Sequence, residues 1–362
     1  MGQITPLVKD DIPHLVDLYM KAFPDSNQVS VQALGGYFDE IFFHNPWYDE
    51  ALPSLVYRDD HRRIVGFLGV MPRRMSMNGR PIQVAISHHF MVEPDSRSTL
   101  AGVQLLKEFF KGPQDLSLAQ ATDVSRKIWE GLGGSTSLLY SIHWMRPLRP
   151  SWYFMSLLKR HGLPAPFIFA SRPFCAVSDA ILIRMPQSPF RQIVPLVSGE
   201  DLDVETLHAC LSECSSKQSL RPEYNGRSLK WLLEKAAQKK RYGTLQKVLV
   251  RDAEQIIGWY LYYLNPGGSS EVLQIGARDN SINDVLDHLF YHAWQRGVIT
   301  LSGQLEPRFM PELLKKYCLF NSHLPWMLVH SNKPELLQAI HRGDAFLTRL
   351  EGEWWIGFQS RQ

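Results

Sequence analysis

Two adjacent histidines, His88 and His89, stand in the middle of a strand-like run from Ile82 to Val92. Imidazole titrates near pH 6.5, so either ring suits proton transfer at neutral pH. Side chains alternate along a strand, which predicts one histidine on the buried face of a sheet and the other on the opposite face. A second pair, His288 and His292, lies at helical i, i+4 spacing; with no third ligand in register it predicts no metal site. Cys175, Cys210, Cys214 and Cys318 include one close pair and no second pair to complete a zinc site, so they read as reduced, mostly buried thiols. Lys239-Lys240-Arg241 reads as a solvated loop or helix end, or as a contact for an anionic substrate.

The elements that hold these residues follow from the hydrophobic period. Residues 4–8 form a strand, and Asp10-Asp11 before Ile12-Pro13 opens a helix carrying Leu15, Leu18, Tyr19 and Phe23. A second helix spans 31–44 with Leu34, Phe38, Ile41 and Phe42 on one face. The period then becomes two: strands at 54–58, 64–77 and 82–92, the last two joined by the hairpin signal Asn78-Gly79. A helix at 100–110, a strand at 116–121, a helix at 123–132 and a strand at 136–142 complete the order βααβββαβαβ. An antiparallel meander feeding βαβ crossovers makes a mixed sheet flanked by helices, an α/β class.

Residues 148–190 are rich in proline and aromatics and too apolar for a free linker, so they are expected to pack between or across two domains. From 191 the order begins again: strands at 192–196, 245–251, 256–264, 271–277, 299–304 and 324–330, helices at 201–213, 228–237, 282–296 and 311–319, and a tail holding a helix and an amphipathic strand. LVYRDDHRRIVGFLGV around Gly66 matches VLVRDAEQIIGWYLYY around Gly258, 192 residues on. That offset is about half the chain and predicts a duplicated domain: an N-terminal domain at 1–147, a connection at 148–190 and a C-terminal domain at 191–362. Aromatics such as Trp144, Trp152 and Tyr153 are expected to line a groove between the halves.

The chain has 362 residues, 44% hydrophobic, with 39 Lys+Arg against 36 Asp+Glu. That composition excludes a disordered chain, and the charge is too thin for a nucleic-acid footprint. No stretch approaches the length of a membrane-spanning helix, and the start lacks a signal-peptide pattern. The expected setting is the cytoplasm.

The element order, with a helix starting just past Val92-Glu93-Pro94, resembles the GNAT superfamily of acyl-CoA N-acyltransferases, here as two tandem GNAT-like domains. In that family a loop of the form Arg/Gln-x-x-Gly-x-Gly/Ala after the fourth strand holds the CoA pyrophosphate, since a helix start offers free N–H donors and a positive dipole end. Arg97, Ser98, Thr99, Leu100, Ala101 and Gly102 fall in register, with Leu100 in place of the first glycine, and Met91 and Val92 precede them. The resemblance implies acetyl-CoA or a longer acyl-CoA as co-substrate, no metal, a cofactor site in the first half only, and a small-molecule or peptide amine as acceptor. It places the base on the fourth or fifth strand, which makes His88, His89 and Glu93 the candidates. The usual tyrosine acid is replaced by Trp129, leaving Tyr140 as a distant alternative; Tyr317 of the second half resembles the tyrosine motif more closely. The expected function is therefore N-acyl transfer, with two alternatives: a non-catalytic tandem module, or a Fem-type aminoacyl transferase that uses no CoA.

Overall fold

The computed structural model describes residues 2–24, 30–96, 100–162, 164–214, 217–278, 280–322 and 325–352. The chain forms two compact units, unit 1 from residues 1–141, 216–241 and 323–362 and unit 2 from 142–215 and 242–322. Unit 1 opens with β1 (Gln3–Pro6), α1 (Ile12–Ala22), α2 (Val31–Phe43), β2 (Leu55–Arg58), β3 (Ile64–Met77), β4 (Arg80–Val92), α3 (Ala101–Phe110), β5 (Leu116–Ala121), α4 (Asp123–Gly131) and β6 (Ser135–Ser137). Unit 2 then takes β7 (His143–Pro147), α5 (Pro150–Arg160), α6 (Ala165–Leu182), β8 (Ser198–Asp201) and α7 (Val204–Cys214). Unit 1 resumes with β9 (Leu220–Pro222) and α8 (Gly226–Ala237). Unit 2 resumes with β10 (Thr244–Asp252), β11 (Gln255–Leu264), β12 (Ser269–Ala277), α9 (Ile282–Gln295), β13 (Thr300–Gln304), α10 (Met310–Lys315) and β14 (Leu319–Asn321), and β15 (Trp326–His330) and α11 (Pro334–His341) end in unit 1.

Each unit is built on a mixed sheet flanked by helices. The first sheet runs β1-β2-β3-β4-β5-β15-β6, with β9 beside the far end of β3, and the second runs β14-β7-β13-β12-β11-β10-β8. Pairing is antiparallel except at β4–β5 and β12–β13, which are parallel and joined through α3 and α9. The duplication is visible in the register. Tyr57 faces Gly66 and Arg58 faces Ile64; Val250 faces Gly258 and Arg251 faces Ile256. Both hairpins thus skip one residue at the same place, and the 192-residue offset holds along β3 and β11.

The units interleave along the chain where the sequence pattern suggests consecutive domains. Residues 136–142, expected as one strand, hold the end of β6, a 3-10 turn at Leu139–Ser141 and the lead into β7 of the other unit. Strand β15 pairs with β5 and β6 of unit 1. A short alternating run specifies which face it buries but not which sheet edge it joins. The strand expected at 192–196 lies instead at β8, and the Pro-rich segment forms α5 and α6. Its prolines include Pro150 and Pro166 in first turns, where no N–H is needed, and Pro173 lies inside α6.

In unit 1 the sheet separates two layers. Leu55, Leu68 and Ala85 pack with Leu105, Leu106 and Phe109 of α3. On the other face Phe42 of α2 meets Phe67, ring centres 5.2 Å apart. In unit 2, Tyr260 and Tyr262 of β11 share a core with Val285, Leu286 and Leu289 of α9.

The matched glycines have unequal neighbours. A Cβ at Gly258 would lie 2.4 Å from the Gly276 carbonyl oxygen, whereas at Gly66 the nearest atom is a Leu105 methyl at 3.1 Å. Gly258→Ala is predicted to cost about 1–3 kcal/mol and Gly66→Ala clearly less, as read by urea unfolding. Equal costs would contradict these packing environments.

Candidate active site

The site is organised by one irregularity in β4. Its pairing with β3 runs from Met77–Arg80 to Gly69–His88 and resumes at Phe67–Met91, so Leu68 alone faces His89 and Phe90. This bulge holds His89 at φ +49°, in the left-handed region that histidine tolerates better than most residues. Bulges bend a strand and re-aim its side chains. β4 and β5 part just before it: their parallel register covers Val84–Ile86 against Leu116–Leu118, while β5 continues beside β15 to Ala121. Among the described residues, the β4 edge past Ile86 has no strand partner on the β5 side.

The bulge also cancels the expected alternation of the two histidines. Both rings lie on the α1–α2 face, with centres 4.0 Å apart and Nδ1 atoms 2.6 Å apart, a contact that requires one Nδ1 to donate and the other to accept. His88 is fully buried against Phe42, and its Nε2 is 3.4 Å from the Tyr37 hydroxyl. The His89 ring is half-buried among Tyr19, Tyr37 and Phe38. Burial pushes the His89 pKa down to about 3, helped by the Lys239 ammonium, so His89 is uncharged at neutral pH. Lys239 follows α8 and is buried; burial, with Arg241 adding to it, lowers its pKa to about 7. The reading of this lysine as solvated is therefore corrected: it is a buried amine that titrates near neutrality and acts on His89.

Glu93 is buried and its carboxylate accepts from Lys21 Nζ at 2.7 Å. Met91 is buried in register with Phe67, and Val92 faces Gly66. Gly102, in the first turn of α3, lies against the end of β4: a Cβ there would sit 3.1 Å from the Phe90 ring and 3.4 Å from Val92. Glycine thus lets the helix start approach the strand closely. Ala101 is buried, and Leu100 caps the helix without a side-chain bond and is exposed. Arg97, Ser98 and Thr99 lie outside the described residues.

Tyr140 has a different place. Its hydroxyl donates to the Ala345 carbonyl and accepts from the Ala345 N–H at 3.0 Å, which ties the phenol to backbone. Trp129 likewise donates its indole N–H to the Val329 carbonyl at 3.0 Å and packs on Phe110. Neither side chain is offered to a leaving thiolate. Tyr317 is an exposed residue of unit 2. His288 and His292 meet the Tyr260 and Tyr262 hydroxyls, each at 2.9 Å.

Sequence reasoning missed Tyr37, Tyr19 and Lys239 as neighbours of the histidines. Tyr37 adjoins the apolar stripe of α2 at Phe38, and a phenol at the edge of such a stripe is the only signal it gave.

No family model and no curated protein matches the sequence. Solved structures do. A probable N-acyltransferase of Enterococcus faecalis is 12% identical, with 94% of this chain and 74% of that one covered at a TM-score of 0.61. A GCN5-related N-acetyltransferase of Anabaena variabilis is 11% identical, covering 91% and 72%, TM-score 0.61. N-myristoyltransferase of Saccharomyces cerevisiae with bound myristoyl-CoA is 10% identical, covering 91% and 79%, TM-score 0.54.

Two substitutions test the site's electrostatics and the role of Tyr140. Lys239→Met removes the cation beside His89, so the imidazole titration followed by NMR is predicted to move up from about 3. Tyr140→Phe strands the Ala345 backbone polar groups and is predicted to cost about 1–3 kcal/mol in urea unfolding. Together the sheets, their helices and the solved structures they match show that this chain has the fold of the GCN5-related N-acetyltransferases.

Proposed function

We propose that the chain is an N-acyltransferase that moves an acyl group from acyl-CoA to an amine, with the chemistry in unit 1. The observation that carries this reading is the parting of β4 from β5 after Ile86, just before the His89 bulge. An unpaired strand edge can donate N–H groups to a thioester carbonyl, and its buried surroundings strengthen that interaction. The start of α3 lies at the same end of β4, and its positive dipole end suits the CoA phosphates; the sequence just before it holds Arg97, Ser98 and Thr99. Leu100 offers only its backbone and limits how closely a phosphate approaches.

The acceptor amine enters from the α1–α2 face. Its ammonium must lose a proton before nitrogen attacks the thioester carbon. His89, held near 3, passes that proton on rather than keeping it, and His88 with Tyr37 continues the relay. Lys239, titrating near 7, is the nearby group matched to neutral pH. Attack forms the C–N bond and the collapse breaks the C–S bond, and the proton that the nitrogen then sheds leaves with the sulfur as CoA thiol, so no tyrosine acid is needed. Glu93, paired with Lys21, fixes the charge at the end of β4. Use of CoA thioesters fits the cytoplasmic setting expected from the sequence.

A second reading, a non-catalytic module that binds acyl-CoA, is favoured by the tied positions of Tyr140 and Trp129. Calorimetric titration with acetyl-CoA and a long-chain acyl-CoA, followed by thiol release with a panel of amines, separates the two. The enzyme reading predicts saturable binding, weakened at least tenfold in Arg97→Ala, and amine-dependent thiol release that falls at least a hundredfold in His89→Ala. It also predicts a rate that rises with pH through about 7 as Lys239 loses its proton, a limb absent in Lys239→Met. Binding without thiol release supports the module. No binding of either thioester by the folded protein overturns CoA dependence and favours a Fem-type donor.

A further inference from the structure

Residues 148–196 of unit 2 carry six cations, Arg149, Lys159, Arg160, Arg172, Arg184 and Arg191, and one carboxylate, Asp179. Asp179 is buried and accepts the Ser151 backbone N–H at 2.7 Å, so the outward charge of the segment is cationic. The helices of this segment also leave large apolar side chains in solvent: Phe154 on α5, then Phe167, Phe174, Val177 and Ile181 on α6, and Met185 beyond it. The four on α6 recur at helical spacing along one face, and Phe174 is 76% exposed. The opposite face buries Cys175 and Asp179. An exposed apolar helix face on a segment whose Lys and Arg outnumber its carboxylates six to one has the composition of an interfacial helix.

A cleft lies just past the end of α6, lined by residues of 186–193 together with Arg146, Asp287, Phe290, Lys315 and Lys316. Arg146 is 6% exposed and lies over the Phe290 ring, 4.8 Å from its centre. Its Nη2 donates to the Pro189 carbonyl at 3.4 Å, while its Nε and Nη1 have no hydrogen-bond acceptor. Four cations, Arg146, Arg191, Lys315 and Lys316, face one carboxylate, Asp287, which pairs with Lys316 at 2.6 Å. A buried guanidinium with open donors gains from a phosphate oxyanion.

We propose that unit 2 docks on an anionic phospholipid surface, the exposed α6 face entering the interface and a lipid phosphate entering the cleft at Arg146. No helix among the described residues is long and apolar enough to cross a membrane, so the segment lies on the surface. A second copy of the chain is the poorer occupant, because joining two such faces sets cation against cation with no exposed carboxylate from the segment to offset them.

The test is co-sedimentation of the full chain with vesicles of phosphatidylcholine alone or mixed with phosphatidylglycerol, at low and high salt. The proposal expects binding to the phosphatidylglycerol vesicles, released at high salt. Arg184→Gln and Arg146→Gln each lower it about fivefold, and Phe174→Asp lowers it at least tenfold. Residues 174 and 184 are exposed, so their variants should melt like the parent. Absence of vesicle binding overturns the proposal, as does binding indifferent to Phe174. Two further results overturn it when vesicles do not bind: inorganic phosphate stabilising the parent and Phe174→Asp alike, which assigns the cleft to a soluble phosphorylated ligand, and a dimer that Phe174→Asp disperses.

Discussion

The contact on which unit 1 turns is the 2.6 Å meeting of the His88 and His89 Nδ1 atoms, made possible by one extra residue in β4. A regular strand would send these rings to opposite faces. The bulge instead brings both rings beneath α1 and α2, just past the point where β4 leaves β5. A left-handed backbone at a non-glycine residue costs about 1–3 kcal/mol, and the desolvated imidazoles add to that. Packing of Tyr19, Tyr37 and Phe38 around His89 and the hydroxyl of Tyr37 beside His88 offset it. The strand edge on which the proposed chemistry depends lies beside the same bend.

The two units keep one scaffold and diverge in what fills it. Both hairpins skip one residue on the glycine-bearing strand, Val65 in one and Ile257 in the other, so β3 and β11 bulge at the same place 192 residues apart. Where β3 places Leu68 and Val70, β11 places Tyr260 and Tyr262, and their hydroxyls meet His288 and His292 on α9. Burial together with Arg296 pushes His292 down to about 4, so this cluster is a neutral polar core. The first turn of α9 carries Asp284, which repels an anion, whereas the first turn of α3 carries no acidic residue. The shared backbone pattern thus supports a strand edge without a β5 partner past Ile86 in one unit and a filled core in the other.

Much of this scaffold is written in local patterns. The Asn78-Gly79 hairpin, the helical periods of α1, α2, α3 and α9, and the Gly66–Gly258 repeat each follow from neighbouring residues. The site is less legible because its causes are not local. A one-residue bulge leaves no trace in a period-two pattern, so that pattern puts the histidines on opposite faces. Burial of Lys239 depends on the fold around α8, and in sequence it looks like any lysine in a basic run. Tyr140 drew attention as a phenol, yet its role is set by Ala345, 205 positions away. The membership of β7 and β15 depends on sheet edges that no short strand encodes, and the helices α5 and α6 were obscured by prolines that helix starts tolerate.

The most direct test of the account is a crystal structure with acetyl-CoA bound. The account predicts the thioester between the ends of β4 and β5, its carbonyl oxygen within hydrogen-bond distance of a backbone N–H between Phe90 and Val92, and the pyrophosphate at the start of α3. A thioester bound away from the β4–β5 opening, or strands that pair continuously past His89, would contradict it.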